Sequence, residues 1–166
     1  MIKKFFIFYF FFLCGVINQA NALEVQCQFE EVYLDGSTQQ GSFFFQQGML
    51  RYQYTNPQLY TLIYDLERLY LVQNFNITTY QVIRDDKNII ELLKRVTDDF
   101  PNTQKEYVIE DQIFLLETSQ TNHFIKRLGI ISDRLSLSIY FNDCKTQNDF
   151  PSNLFSVRPF VDVKML

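Results

Sequence analysis

Between residues 24 and 30 apolar and polar side chains alternate without a break, with Val25, Cys27 and Phe29 on one side and Gln26, Gln28 and Glu30 on the other. A repeat of two is that of a β-strand with one buried face. Asp35-Gly36-Ser37 then reads as a turn. The next stretch gives two strands, Ser42–Gln46 and Met49–Tyr54, parted at Gly48, and in the second Leu50, Tyr52 and Tyr54 share a face opposite Arg51 and Gln53. Asn56-Pro57 interrupts the pattern, because proline cannot donate to a ladder. Apolar runs at 59–64 and 69–72, joined by Asp65-Leu66-Glu67-Arg68, predict a further pair of strands. Tyr107–Ile109, Ile113–Thr118, Phe124–Ile131 and Leu135–Phe141 are β-like as well, and the tail 150–166 reads as a last extended segment.

Helical spacing occurs within 87–97, where Ile89, Leu92, Leu93 and Val96 fall inside an arc of about 100° at 3.6 residues per turn. Asp85 or Asp86 can cap its start, and Phe100-Pro101 lies beyond its end. The expected architecture is seven to ten antiparallel strands with one helix inserted mid-chain. A sheet that wide and apolar on one face must curl or be covered.

The first residues have a different organisation: Lys3 and Lys4, an apolar stretch from Phe5 to Ile17, and Ala20-Asn21-Ala22. This is the layout of a secretory signal peptide cleaved after Ala22. The apolar stretch is too short to cross ~30 Å of hydrocarbon, and no basic stop-transfer cluster follows. Phe11-Phe12-Leu13 ahead of Cys14 lacks the small residues of a lipoprotein cleavage site. Residues 1–22 are therefore read as the signal and 23–166 as one exported domain, expected to be a monomer.

Without Lys3 and Lys4, 13 basic side chains face 19 acidic ones, a net charge of about −6. Such a surface with no basic run argues against nucleic acid, whose phosphates require clustered Lys and Arg, and against anionic membrane surfaces. Cys27 and Cys144 survive processing, and an oxidising compartment permits a disulfide between them. The alternative is that Cys27, on an apolar strand face, packs as a buried free thiol.

Catalytic signatures are missing. His123 is the one histidine, set in the polar stretch Thr121-Asn122-His123, and reads as an exposed loop residue. The chain has no H-E-x-x-H, C-x-x-C or G-x-S-x-G motif and only five glycines, so neither a cofactor nor a metal is expected. Asp85-Asp86 and Asp98-Asp99 flank the helix as caps and solvated ends. Adjacent residues point in different directions, unlike a catalytic carboxylate pair that must share one site.

From Gly41 through Gly41-Ser42-Phe43-Phe44-Phe45-Gln46-Gln47-Gly48-Met49-Leu50-Arg51-Tyr52-Gln53-Tyr54, then Asn56-Pro57, Ile63-Tyr64-Asp65 and Leu69-Tyr70, the chain resembles the opening sheet of the LolA-like family of periplasmic lipoprotein carriers. Ile131-Ser132-Asp133, Ser152-Asn153-Leu154-Phe155 and Val161-Asp162-Val163 resemble that family's C-terminal part. The resemblance covers nearly all of 23–166. It implies an incomplete antiparallel β-barrel, a half-barrel whose apolar concave face is covered by helical structure, here the inserted helix. It also implies a periplasmic carrier that ferries acylated lipoproteins from the inner to the outer membrane, with an inner-membrane lipoprotein-release transporter and an outer-membrane acceptor as partners. Two places depart from the family pattern. Gln46-Gln47 stand where Arg-Pro is usual before the turn glycine, and the first strand begins without a preceding helix.

On this reading the acyl chains meet a cavity lined by Leu50, Tyr52, Tyr54 and Leu62 and closed by Ile89, Leu92, Leu93 and Val96. Solubilising a sixteen-carbon chain requires on the order of 12 kcal/mol of equivalent apolar burial at ~0.8 kcal/mol per CH₂. Tyrosine suits such a wall, with an apolar body and a polar tip. Without the resemblance, the same residues read as a dry core beneath a helix. A second functional reading is an envelope interaction or sensor module of the same shape, binding a lipoprotein or protein partner without transporting it.

Overall fold

The computed structural model describes residues 24–83, 88–99, 103–119, 124–133, 135–146, 150–151 and 153–157. The signal peptide reading, the Asp85 or Asp86 caps and His123 lie outside these residues. Strand β1 runs over Glu24–Tyr33, longer than its clean alternation, and the buried phase of Val25, Cys27 and Phe29 continues to Glu31. The Asp35-Gly36-Ser37 turn closes with Tyr33 N–H on the Ser37 carbonyl at 3.0 Å, and Gly36 takes φ 79°. It leads into β2, Thr38–Gln46. Gln47 (φ 50°) and Gly48 (φ 85°) then reverse the chain into β3, Met49–Tyr54. Two successive left-handed residues match the twist of the flanking strands.

Strands β4 (Tyr60–Tyr64), β5 (Leu69–Gln73) and β6 (Asn76–Ile83) continue the meander. The β4–β5 turn is held by Asp65 Oδ1, which accepts from the backbone N–H of Glu67 at 3.1 Å and Arg68 at 2.9 Å. Strand β6 is absent from the sequence reading. It forms one edge of the sheet, with Tyr80 and Val82 exposed, so burial imposes no strong alternation on it.

Helix α1 spans Asn88–Asp99. Strands β7 (Glu106–Ile109), β8 (Gln112–Ser119), β9 (Phe124–Ile131) and β10 (Ser136–Thr146) follow. All ten strands make one antiparallel sheet in the order β6-β5-β4-β3-β2-β1-β10-β9-β8-β7, and the sheet is not closed. The first and last strands therefore meet in the middle, while β6 and β7, consecutive in sequence, form the two edges.

The main core lies on the face bearing Cys27, Phe29, Phe43, Phe45, Phe114, Leu128 and Phe141. Leu92 and Val96 of α1 are buried in the same cluster. The helix packs beside β7, and the Tyr107 hydroxyl donates to Asp99 at 2.9 Å. At the other end of the helix, Asn88 donates to Glu110 at 3.3 Å.

The described part of the tail corrects the expectation of an extended segment. Leu154 N–H bonds the Pro151 carbonyl at 2.8 Å and Ser156 N–H the Asn153 carbonyl at 3.1 Å, giving turns. Phe150, Leu154 and Phe155 pack as a second small core with Phe44 and Met49. Phe44 alternates out of phase with Phe43 and Phe45, so its ring emerges on the other side of the sheet, and the tail folds back to cover it. Arg51 Nη1 donates to the Leu154 carbonyl at 3.3 Å, and burial pushes its guanidinium down to about 10.

Between β1 and β10 the register slips: Gln28 faces Asn142 but Gln26 faces Lys145. One extra residue sits on β10, and Asp143 takes φ 51° there. The bulge shifts the inward phase by one, so that after Ile139 and Phe141 the next inward position is Cys144. Its sulfur is bonded to that of Cys27, whose side chain is fully buried.

Candidate functional site

A cavity of about 300 Å³ opens on the main-core face. Its wall draws on eight neighbouring strands: Glu31 and Tyr33 from β1, Phe43 from β2, Leu50, Tyr52 and Tyr54 from β3, Leu62 from β4, Leu69 from β5, Ile83 from β6, Leu128 and Ile130 from β9, and Leu137, Ile139 and Phe141 from β10. Each strand contributes through its inward phase. Apart from Glu31 these side chains are aliphatic or aromatic, and the tyrosines bring their bodies to the wall and their hydroxyls to one point.

That point is Glu31, which is 4% exposed. Its Oε1 accepts hydrogen bonds from the hydroxyls of Tyr52 at 2.7 Å and Tyr54 at 2.9 Å, and its Oε2 accepts one from Tyr33 at 2.5 Å. No cation among the described residues pairs with it. Burial, reinforced by the hydrogen bond to Glu31 and its charge, pushes the Tyr33 phenol up to about 12. Tyr52 and Tyr54 are also raised well above the ordinary phenol value, by burial first and then by the Glu31 charge.

The cluster owes its geometry to a missing side chain. Gly41 lies opposite Phe29 on one neighbour and Tyr54 on the other. A Cβ at Gly41 would come within 2.4 Å of the Phe29 ring and 2.1 Å of the Gln53 carbonyl oxygen. The Phe29 ring occupies the space glycine leaves, stacks on Tyr52 at 3.8 Å between centroids and meets Tyr54 edge-on at 5.5 Å. These contacts fix both phenol rings with their hydroxyls on Glu31, one inward position further along β1.

The structure thus brings Leu50, Tyr52, Tyr54 and Leu62 of the sequence reading around one cavity. Leu92 and Val96 are buried in the same core cluster, and the cavity-lining side chains among the described residues do not include them. The side chains of Ile89 and Leu93 lie outside the described residues. The sequence reading passed over Glu31 and Tyr33, although both continue the inward phase of Val25, Cys27 and Phe29. A carboxylate at a position that strand periodicity assigns to the core was the available signal.

Among the described residues, no group of three His, Cys, Asp or Glu side chains is placed to hold a metal ion. No protein-family model matches the chain, and a search of curated proteins finds no match.

Proposed function

We propose that this chain is an exported carrier that takes acyl chains of lipoproteins into the cavity and ferries them between membranes, as its resemblance to the LolA-like family implies. The observation that carries the reading is the cavity itself, an almost wholly aliphatic and aromatic wall assembled from eight strands of one open sheet. Eight flat strands would spread over roughly 34 Å at ~4.8 Å per strand. Side chains from all of them around about 300 Å³ are what a curled half-barrel would produce. The volume is at the lower end of ligand pockets, ~300–1,000 Å³, and suits one acyl chain, partly inserted, better than several.

On this reading α1, whose Leu92 and Val96 pack into the same core, covers part of the concave face, and residues 1–22 direct the chain to the periplasm. The Cys27–Cys144 disulfide is in keeping with an oxidising compartment. An inner-membrane release transporter and an outer-membrane acceptor would be its partners.

Native mass spectrometry of the protein gently purified from an envelope fraction tests the reading. A bound polypeptide carrying acyl chains is the expected result. A stable complex with one non-acylated protein, together with failure to bind an uncharged fluorescent fatty-acyl ester, would replace the carrier with an interaction module.

A further inference from the structure

A cavity meant only for hydrocarbon has no use for a carboxylate in its wall. Burying an ionised group is costly unless a charge or several hydrogen bonds compensate it. Glu31 has three phenol donors, two on Oε1 and one on Oε2. A carboxylate offers about four lone-pair sites, so Oε2 retains acceptor capacity. The three donors are neutral hydroxyls, and no cation among the described residues pairs with the carboxylate. Each phenol oxygen, having donated its hydrogen to Glu31, can itself accept. The rings of Tyr52 and Tyr54 also border the cavity, and aromatic faces attract cations.

We propose that Glu31, with Tyr33, Tyr52 and Tyr54, is the head-group site for a primary amine on an aliphatic tail, the ammonium pairing with Glu31 while the tail lies against the apolar wall. An ammonium supplies three donors and one positive charge, and the site supplies acceptors and one negative charge. An alcohol of the same chain length can also donate to the carboxylate, but it brings no positive charge and lacks the Coulomb attraction that the ammonium adds, so it gains less. A fatty acid brings a second negative charge and is disfavoured. The proposal rests on the reading of the cavity as an apolar binding site and adds a head-group preference to it.

Isothermal titration calorimetry near neutral pH with dodecylamine, dodecanol and lauric acid, each below its micelle-forming concentration, separates the two. Dodecylamine is expected to bind about tenfold or more tighter than dodecanol, a difference near 1.4 kcal/mol, and lauric acid weakest. Glu31→Gln should remove the preference for the amine. If that variant fails to fold, N-dodecylacetamide on the unaltered protein decides, because capping the amine should cost about tenfold in affinity. Equal affinity for amine and alcohol, or tighter binding of lauric acid, overturns the head-group proposal and leaves the apolar cavity reading standing. Binding of none of the probes overturns both.

Discussion

The Tyr52 hydroxyl donates a 2.7 Å hydrogen bond to Oε1 of Glu31, a residue 21 positions earlier and two strands away. Both residues are less than a tenth exposed, so solvent is a poor substitute for a lost partner. Tyr52→Phe preserves the ring stack on Phe29 and removes only the donor. Leaving a buried charged acceptor short of a partner costs about 1–3 kcal/mol. Urea unfolding should show the unfolding free energy lowered by that amount, through a lower midpoint at an unchanged slope. A loss of under about 0.5 kcal/mol would mean that this hydroxyl contributes little to holding the carboxylate.

The same cluster makes stability sensitive to base. Tyr33 is raised to about 12, and Tyr52 and Tyr54 are also raised well above the ordinary value, while unfolded phenols ionise near 10. Groups whose folded pKa is raised stabilise fully below the unfolded value and lose that contribution as pH climbs towards the folded one. Stability should therefore hold to about pH 10 and fall steeply between about 10 and 12. In the folded protein, the ultraviolet absorbance of tyrosinate should rise in two stages, with a late group released on unfolding. A single transition near the ordinary phenol value would contradict the buried network.

Gly41 tests the support behind the cluster. An added methyl would meet the Gln53 carbonyl oxygen at 2.1 Å, a backbone atom held in the ladder, as well as the Phe29 ring. Gly41→Ala should cost about 1–3 kcal/mol by overpacking and shift the near-ultraviolet tyrosine circular dichroism as the Phe29–Tyr52 stack is displaced. An unchanged melting temperature and spectrum would show that the ring moves aside freely.

At the β2–β3 turn, Gln47 holds φ 50°, which the proline ring cannot reach because it locks φ near −65°. Placing a proline there with Gln47→Pro should therefore destabilise by on the order of 2 kcal/mol or more. Gln47→Asn, suited to a left-handed turn position, should be neutral or slightly stabilising. Thermal melts of the two variants check the sign of each.

The Cys27–Cys144 bridge links residues 117 apart in sequence. In the chain-entropy model a loop of that size contributes roughly 4–5 kcal/mol. Cys27→Ala with Cys144→Ala should lower the unfolding free energy by up to that amount, and alkylation of the unreduced, denatured protein should label neither cysteine. Two labels on the native chain would exclude the bridge.

Strand periodicity located the inward faces of most of this sheet, because burial on one side of a pleat acts on every second residue wherever the strand lies. Leu50, Tyr52 and Tyr54 were legible for that reason. Leu92 and Val96 were legible as one buried helical stripe, since helix packing acts at a spacing of 3.6. Edge strand β6 escaped because solvent on its exposed side weakens the alternation. Glu31 escaped for the opposite reason, as an acidic residue in an inward phase resembles the end of a strand until its three phenol partners are seen.

By itself, then, the sequence determined most of the inward faces and most of the turns between strands, since both follow from local backbone geometry and residues within a few positions. Tertiary structure alone decided who neighbours whom. Any inward-facing strand can pair with any other, and only the completed sheet places β1 between β2 and β10. The extra residue at Asp143, which turns Cys144 rather than Asp143 towards Cys27, belongs to that pairing and leaves no trace in the period of β10 read alone. The hydroxyls on Glu31 come from its own strand and from a strand two places away. A polar network of that kind is set by which strands the sheet brings together, and a repeat of two cannot encode it.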